Sequence, residues 1–313
     1  MKYTIEAKNL GRVYKTYTKK EGIINSFKGF YNRQYTEKVA LKNANLKIEA
    51  GKIVGLVGSN GAGKTTLLKI LSGLIYPSSG SATVLGYEPW KRDNDFLKQI
   101  SILLGQKNQL WWDITPRDSY SLLTKIYDLN ETKAKKRVDD LAQLLQCTNV
   151  LNTQLRRLSL GERMKMEIIG SLLHEPKVLF LDEPTIGLDI VAQNSIRNFL
   201  QSYVKEFQPA IILTSHYMDD IAQLADHLLL ISQGEIVYDG NVEHFMQTTD
   251  LKKKLIYRLK NSTEEKEIVF NSQELTQVLS DLSKAGEVAD LKVEEVDFEE
   301  AIHRFLEAES GTR

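Results

Sequence analysis

The stretch Gly58-Ser59-Asn60-Gly61-Ala62-Gly63-Lys64-Thr65 decides how this chain is read. It fills the spacing G-x-x-x-x-G-K-[ST], in which backbone N–H groups and a lysine surround phosphate oxygens. Before it, Ile53-Val54-Gly55-Leu56-Val57 is a short apolar run without helical period, which predicts a buried parallel strand. After it, Thr66-Leu67-Leu68-Lys69-Ile70-Leu71 predicts a helix whose N-terminus faces the loop. Loop amides and helix dipole then point at one place, which suits a triphosphate. In such a site Lys64 reaches the β- and γ-phosphates, and the Thr65 hydroxyl holds Mg²⁺.

Composition sets the limits. At 313 residues the chain can hold one large domain and a small one. Lys+Arg and Asp+Glu each number 41, so the net charge of zero argues for neither a nucleic acid nor an anionic membrane as partner. The single cysteine, Cys147, excludes an intramolecular disulfide and fits a reducing compartment. The longest apolar strings, near Val178 and Leu228, are too short to span a bilayer and read as core strands. Met1-Lys2-Tyr3-Thr4-Ile5-Glu6 alternates like a strand and lacks the form of a signal peptide. A cytoplasmic protein is expected, with any membrane link made through a partner.

Strand-like alternation opens the chain and ends at Tyr14; it returns over Ala40–Ile48, and Ala50-Gly51 turns into the phosphate-loop strand. Further strands are expected around Ala82–Leu85 and Ile102–Leu104. From about Pro116 to Cys147 the period becomes helical, with Leu122, Leu123, Ile126 and Leu129 on one face and Val138, Leu141, Leu144 and Leu145 on another. Strands recur at Val178–Leu181, Ile211–Thr214 and Leu228–Ile231 with helices between, the grammar of a parallel α/β sheet. The helical block thus reads as a subdomain, about 107–165, inserted into a nucleotide-binding core of residues 1–246. Residues 247–313 are more charged and read as a small accessory α+β unit.

Two further motifs carry chemistry. Val178-Leu179-Phe180-Leu181 ends in Asp182 and Glu183, and ligands bind at the C-terminal edge of such sheets. Asp182 is placed for the magnesium shell and Glu183 to take a proton from the water attacking the γ-phosphate. Ser159-Leu160-Gly161-Glu162 precedes a second helix and offers a second anion-binding N-terminus. One chain has no need of two such sites unless one serves a nucleotide held by another subunit. An N-cap serine is the structural alternative.

Taken together, these motifs resemble the ATP-binding cassette (ABC) family, specifically the ATPase subunit of an ABC transporter. Gly58 to Thr65, followed by Thr66, matches the Walker A loop and Val178 to Asp182 the Walker B strand. Ser159 to Glu162 matches the signature loop, Gln106 the Q-loop, Gly187-Leu188-Asp189 the D-loop and His216 the switch histidine. Tyr14 matches the aromatic that stacks on adenine. The likeness covers roughly residues 3 to 245. It implies an α/β P-loop ABC ATPase core with an antiparallel β-subdomain and an inserted helical subdomain. It further implies ATP and Mg²⁺ as cofactors, with Thr65, Gln106 and Asp182 at the metal and Glu183 and His216 catalytic. Gly58, Ser59, Asn60, Gly61, Ala62, Gly63, Lys64, Thr65 and Thr66 would contact the nucleotide, joined by Tyr14, Gln106, Ser159, Gly161 and Glu162. The implied partners are a transmembrane permease and a second ATPase subunit in a head-to-tail homodimer, with no nucleic acid. The chain would sit peripherally on the inner face of the membrane through the permease.

The signature departs from the commoner Leu-Ser-Gly-Gly-Gln by Leu160 and Glu162. Leu-Ser-Leu-Gly signatures resemble those of bacterial ATPases linked to exporters, and a glutamate there is expected to weaken closure slightly. Two segments stand apart. Residues 15–38 form an insertion whose Ile23, Ile24, Phe27, Phe30 and Tyr31 have helical spacing. It reads either as an elaborated hairpin or as an amphipathic helix against the membrane or permease. Trp111-Trp112 follows the Q-loop and reads either as a partner-binding hot spot or as core of the helical block.

Overall fold

Alternating apolar residues near the N-terminus build a hairpin. In a computed structural model, which describes residues 3–17, 35–105, 107–248, 253–260, 265–270, 274–294 and 298–311, β1 (Ile5–Tyr17) pairs antiparallel with β2 (Tyr35–Ile48). Pairing continues past Tyr14 through Lys15↔Glu37 to Tyr17↔Tyr35, so the strand runs further than its sequence pattern indicates. Most of the 15–38 insertion, and with it Phe27, Phe30 and Tyr31, lies outside the described residues, as does Gln106.

The phosphate loop sits between β3 (Ile53–Val57), buried at every position, and α1 (Lys64–Leu71). β4 (Ser79–Val84) then adds to β1 to give an antiparallel sheet of order β2-β1-β4. A helical turn, α2 (Asn94–Leu97), leads into β5 (Ile100–Leu104). Three helices come before the next strand: α3 (Pro116–Ile126), α4 (Glu131–Leu144) and α5 (Leu160–Leu172). Each starts on a side-chain cap, from Thr115, Asn130 and Ser159 respectively, so local chemistry fixes where the insertion's helices begin.

Alternation resumes with β6 (Val178–Asp182), α6 (Ile190–Phe207), β7 (Ala210–Thr214), α7 (Met218–Leu224), β8 (His227–Ser232) and β9 (Glu235–Asn241). The sheet order is β5-β6-β7-β3-β8-β9. Its first five strands pair in parallel. β9 returns along β8 through Gln233-Gly234, both with positive φ as a two-residue hairpin requires. One core unites the sheets: Ile5, Leu41 and Leu46 of the antiparallel sheet pack with Leu67 and Leu68 of α1 and with Phe180 and Leu229. This is the expected α/β cassette. The helices α3, α4 and α5 stand as a block between β5 and β6.

The described chain packs as two compact units, Met1–Asp239 and Gly240–Arg313. The second contains α8 (Val242–Thr248), β10 (Lys253–Leu259), β11 (Lys266–Phe270), α9 (Leu275–Ala285), β12 (Val288–Glu294) and α10 (Phe298–Gly311). Its strands run β11-β10-β12, with Leu255, Phe270 and Leu282 at the centre. β12 is not among the strands expected from the sequence, although Leu291 and Val293 alternate with Asp290, Lys292 and Glu294. No described helix is long and apolar enough to cross a membrane.

Candidate active site

Sheet register assembles the site. Leu104 of β5 pairs with Asp182 of β6, and Asp182 with Thr214 of β7, so these residues form one row. The residues just past each strand are therefore delivered to the same edge: Gly105, Glu183 and the Ser215-His216 turn. β3, beside β7, ends at that edge in the phosphate loop.

The loop is shaped by close approach. Gly63 has φ of 116°, and a Cβ there would stand 2.4 Å from the Ala40 carbonyl oxygen, so only glycine fits. Lys64 is buried and donates from Nζ to the carbonyls of Gly58 (2.6 Å) and Ser59 (3.2 Å). Burial lowers the pKa of its ammonium from the usual 10.5, opposed by the negative charges of Glu183 and Asp182. α1 starts without a side-chain cap on its amides and without an acid in its first turn.

Facing the loop, the Thr65 hydroxyl donates to Asp182 at 3.1 Å (Oδ2), and Thr214 Oγ1 donates to Asp182 Oδ1 at 2.7 Å. Thr65, Lys69, Leu104, Gly105, Lys107, Asp182 and Glu183 line a cavity of about 180 Å³. Gly105 is pressed against the neighbouring strand end: its N–H donates to the Asp182 carbonyl at 2.8 Å, and a Cβ would meet the Glu183 carbonyl oxygen at 2.3 Å.

Glu183 is held in the left-handed region at φ 58°, a conformation costly for a non-glycine residue. Its N–H bonds Thr214, and Oε1 lies 2.8 Å from His216 Nε2. Oε2 is buried without a hydrogen-bond partner. A buried carboxylate oxygen left unpaired has capacity for a water molecule, the species a general base must hold. Glu183 and His216 thus come together as the sequence expects, beside Asp182 and Thr65.

The signature residues lie elsewhere. Ser159 caps α5 in a closed box: its N–H and hydroxyl both donate to Glu162 Oε2 (2.9 and 2.8 Å), and the Glu162 amide donates back at 3.3 Å. The Ser159 hydroxyl holds the Glu162 carboxyl below its usual 4.5. Among the described residues no hydrogen bond or ion pair joins Ser159–Glu162 to Gly58–Thr65. Ser159 is exposed, and close by Leu160, Ile190 and Val191 are 43%, 72% and 75% exposed. Tyr14, on β1, carries the Arg12 guanidinium 4.7 Å from its ring centre. Trp111 and Trp112 are each 42% exposed.

Some supporting residues escape a reading of the sequence. Asp220, fully buried, accepts from Ser215 Oγ (2.5 Å), Arg197 Nε (2.5 Å) and the Thr185 hydroxyl. It thereby ties the turn before His216 to the segment after Glu183. In sequence Asp220 is only an acid in the first turn of a helix, which is ordinarily solvated. Ile190 and Val191 do leave a signal, as adjacent apolar residues opening a helix beside Asp189.

The comparisons agree with this geometry. Residues 41–186 match the family model described as ABC transporter. The chain is 34% identical over 209 residues to the ABC transporter ATP-binding protein NatA of Bacillus subtilis (strain 168), covering 67% of this chain and 85% of that protein. It is 31% identical over 217 residues to the daunorubicin resistance ATP-binding protein DrrA3 of Streptomyces coeruleorubidus, covering 69% and 68% respectively. Among solved structures it resembles cbiO1 of Clostridium perfringens, part of the ABC transporter complex cbiONQ. That likeness has a TM-score of 0.65 and 26% identity, over 79% of this chain and 92% of that one. A phosphate loop, the Asp182-Glu183 carboxylate pair at the sheet edge and an exposed signature corner therefore have one explanation: this chain belongs to the ABC transporter family as an ATP-binding, ATP-hydrolysing subunit.

Proposed function

We propose that this subunit drives export. It works as a head-to-tail pair of identical chains on the cytoplasmic face of a membrane, bound there through a separate permease. The observation that carries the catalytic part is the Glu183–His216 contact with Glu183 Oε2 left free, beside Thr65 and Asp182. In this reading Lys64 and the amides of Gly58 to Thr66 bind the triphosphate of ATP, and Tyr14 takes the adenine. Glu183 accepts the proton of the attacking water, while His216 positions that carboxylate and senses the γ-phosphate. Thr65 and Asp182, two adjacent hard oxygen donors, fit Mg²⁺ together with Gln106. When bound, the ion would neutralise charge developing on the phosphates.

The dimer is supported by the separation of the signature corner from the phosphate loop within one chain. It is also supported by the apolar exposure of Leu160, Ile190 and Val191 around that corner. Ser159 and Gly161, with Glu162, would then meet ATP held by the other chain. Half-exposed Trp111 and Trp112 fit a contact with the permease. Export is favoured by the Leu-Ser-Leu-Gly signature and by the similarity to a daunorubicin resistance protein. In this organisation residues 1–246 are the motor and 247–313 an accessory unit.

Glu183→Gln tests the reading. The amide keeps the shape of the side chain and loses its basicity, so ATP should still bind while turnover falls about 10²-fold or more. Near-normal hydrolysis would remove Glu183 from the mechanism.

A further inference from the structure

The loop between β5 and α3 is held at two points with different owners. At its start, the Gly105 N–H donates to the Asp182 carbonyl, so this end belongs to the catalytic edge of the sheet. Beyond Lys107, ownership passes to α5. The amides of Gln109 and Leu110 both donate to the Glu167 carboxylate, at 3.1 to 3.3 Å, and Glu167 is buried. The Arg163 guanidinium, one turn nearer Ser159, lies 4.8 Å from the Trp112 ring centre. The Trp112 carbonyl accepts from the Arg156 amide, and the Asp113 carboxylate pairs with the Arg156 side chain at 3.2 Å. Two bonds return the stretch beyond Gln106 to the sheet, from the Lys107 amide to the Leu104 carbonyl at 2.8 Å and from Gln109 Nε2 to the Ile102 carbonyl at 2.5 Å.

We propose that Glu167 is a positioning residue that anchors the exit of the Gln106 loop to the helix led by Ser159, and so holds Trp111-Trp112 in fixed register with the signature corner. This inference rests on the proposed roles of Gln106 and Ser159 at ATP. A buried carboxylate is a costly way to cap two amides that solvent would satisfy at no such cost. What it gains is a rigid link, since a buried acceptor bonded to two successive amides fixes the backbone where a side-chain contact would slide. Besides those amides, the groups facing the carboxylate are Arg163 on its own helix and the Tyr120 phenol from α3. Arg163 cannot replace it, because an amide donor needs an acceptor and Arg163 has none, and the Tyr120 hydroxyl is engaged with the Met166 carbonyl at 2.8 Å.

The test is steady-state ATP hydrolysis by the full chain, expressed per folded molecule, in four variants. Glu167→Ala should lower kcat about tenfold or more while KM for ATP stays within about twofold, because the phosphate loop is untouched and only alignment is lost. Glu167→Asp keeps the charge but withdraws it by one methylene, and should lose kcat similarly. Glu167→Gln keeps a carbonyl oxygen to accept the amides, and should recover most of the rate. If Glu167→Ala does not fold, the Asp and Gln variants carry the same comparison. Unchanged kcat in the Ala and Asp variants, even with lower melting temperatures, would reduce Glu167 to a structural cap and overturn the inference. A Gln variant impaired as deeply as Asp would overturn it as well. Gln106→Ala separates this failure from that of the site reading. Its own loss of kcat, with Glu167→Ala unaffected, overturns only the anchor; full activity of Gln106→Ala overturns the site reading and the anchor together.

Discussion

α1 and α5 both begin after a loop containing serine and glycine, yet their N-termini are chemically opposite. α1 starts at Gly63 with no side-chain cap and no acid in its first turn, and Lys64 stands at its mouth. α5 starts at Ser159 with Glu162 folded back onto the serine hydroxyl and N–H. The first is a cradle whose free amides await an anion. The second already holds one. A phosphate reaching Ser159 must displace a carboxylate from the hydroxyl it uses. In the proposed dimer the pair divides the labour of binding: one end captures ATP alone, the other engages only when a second chain brings ATP to it.

Three substitutions probe this division. Lys64→Ala should have the largest effect, weakening ATP binding on the order of 10²-fold by removing a charge-assisted donor and leaving two loop carbonyls unpaired. Equilibrium binding of ATP to the isolated chain measures it, and an unchanged Kd would mean that α1 is not the capture site.

Glu167 sharpens the α5 side through stability. Burial pushes its carboxyl up from 4.5 to about 6, against the amides of Leu110 and Gln109 and Arg163, which lower it. The folded chain therefore binds this proton more tightly than the unfolded chain. Its contribution is fully present below pH 4.5 and is lost as pH rises through about 6. Urea unfolding of wild type and Glu167→Gln should diverge by about 2 kcal/mol over that window, wild type gaining on acidification. Parallel curves would show that the carboxylate is not desolvated.

Glu162→Gln should act least. A glutamine still closes the capping box, but the anion is gone, so ATP-dependent pairing of chains should tighten by about fivefold at low salt and less at high salt. Weaker pairing would mean that the carboxylate assists ATP instead of competing with it.

Much of this arrangement is legible in the sequence because strands and their ends are local. The apolar run before Asp182-Glu183 and the glycines around Lys64 dictate strand, loop and helix without knowledge of neighbours, and parallel pairing then brings the ends into one row. What is not legible depends on distant partners. Asp220 and Glu167 look like solvated helix acids until tertiary packing buries them, one against Ser215, Thr185 and Arg197, the other against backbone amides. The Ser159–Glu162 box fits the spacing of a capping box, but sequence alone cannot say whether the serine bonds its own helix or a nucleotide. β12 differs, since Leu291 and Val293 alternate with its charges yet stay 41% and 39% exposed, and only Val288 packs on the core.

Sedimentation velocity of Glu183→Gln, with and without Ser159→Arg, tests the division of labour most directly. With ATP the single variant should sediment as a dimer, because binding proceeds and hydrolysis does not reopen it. Adding Ser159→Arg should leave the chain monomeric at saturating ATP, with its Kd for ATP within about twofold, since the arginine blocks only the second chain's approach. Dimers formed equally well by the double variant, or loss of ATP binding by its monomer, would contradict the account, because Ser159 would then serve no second chain or would serve its own.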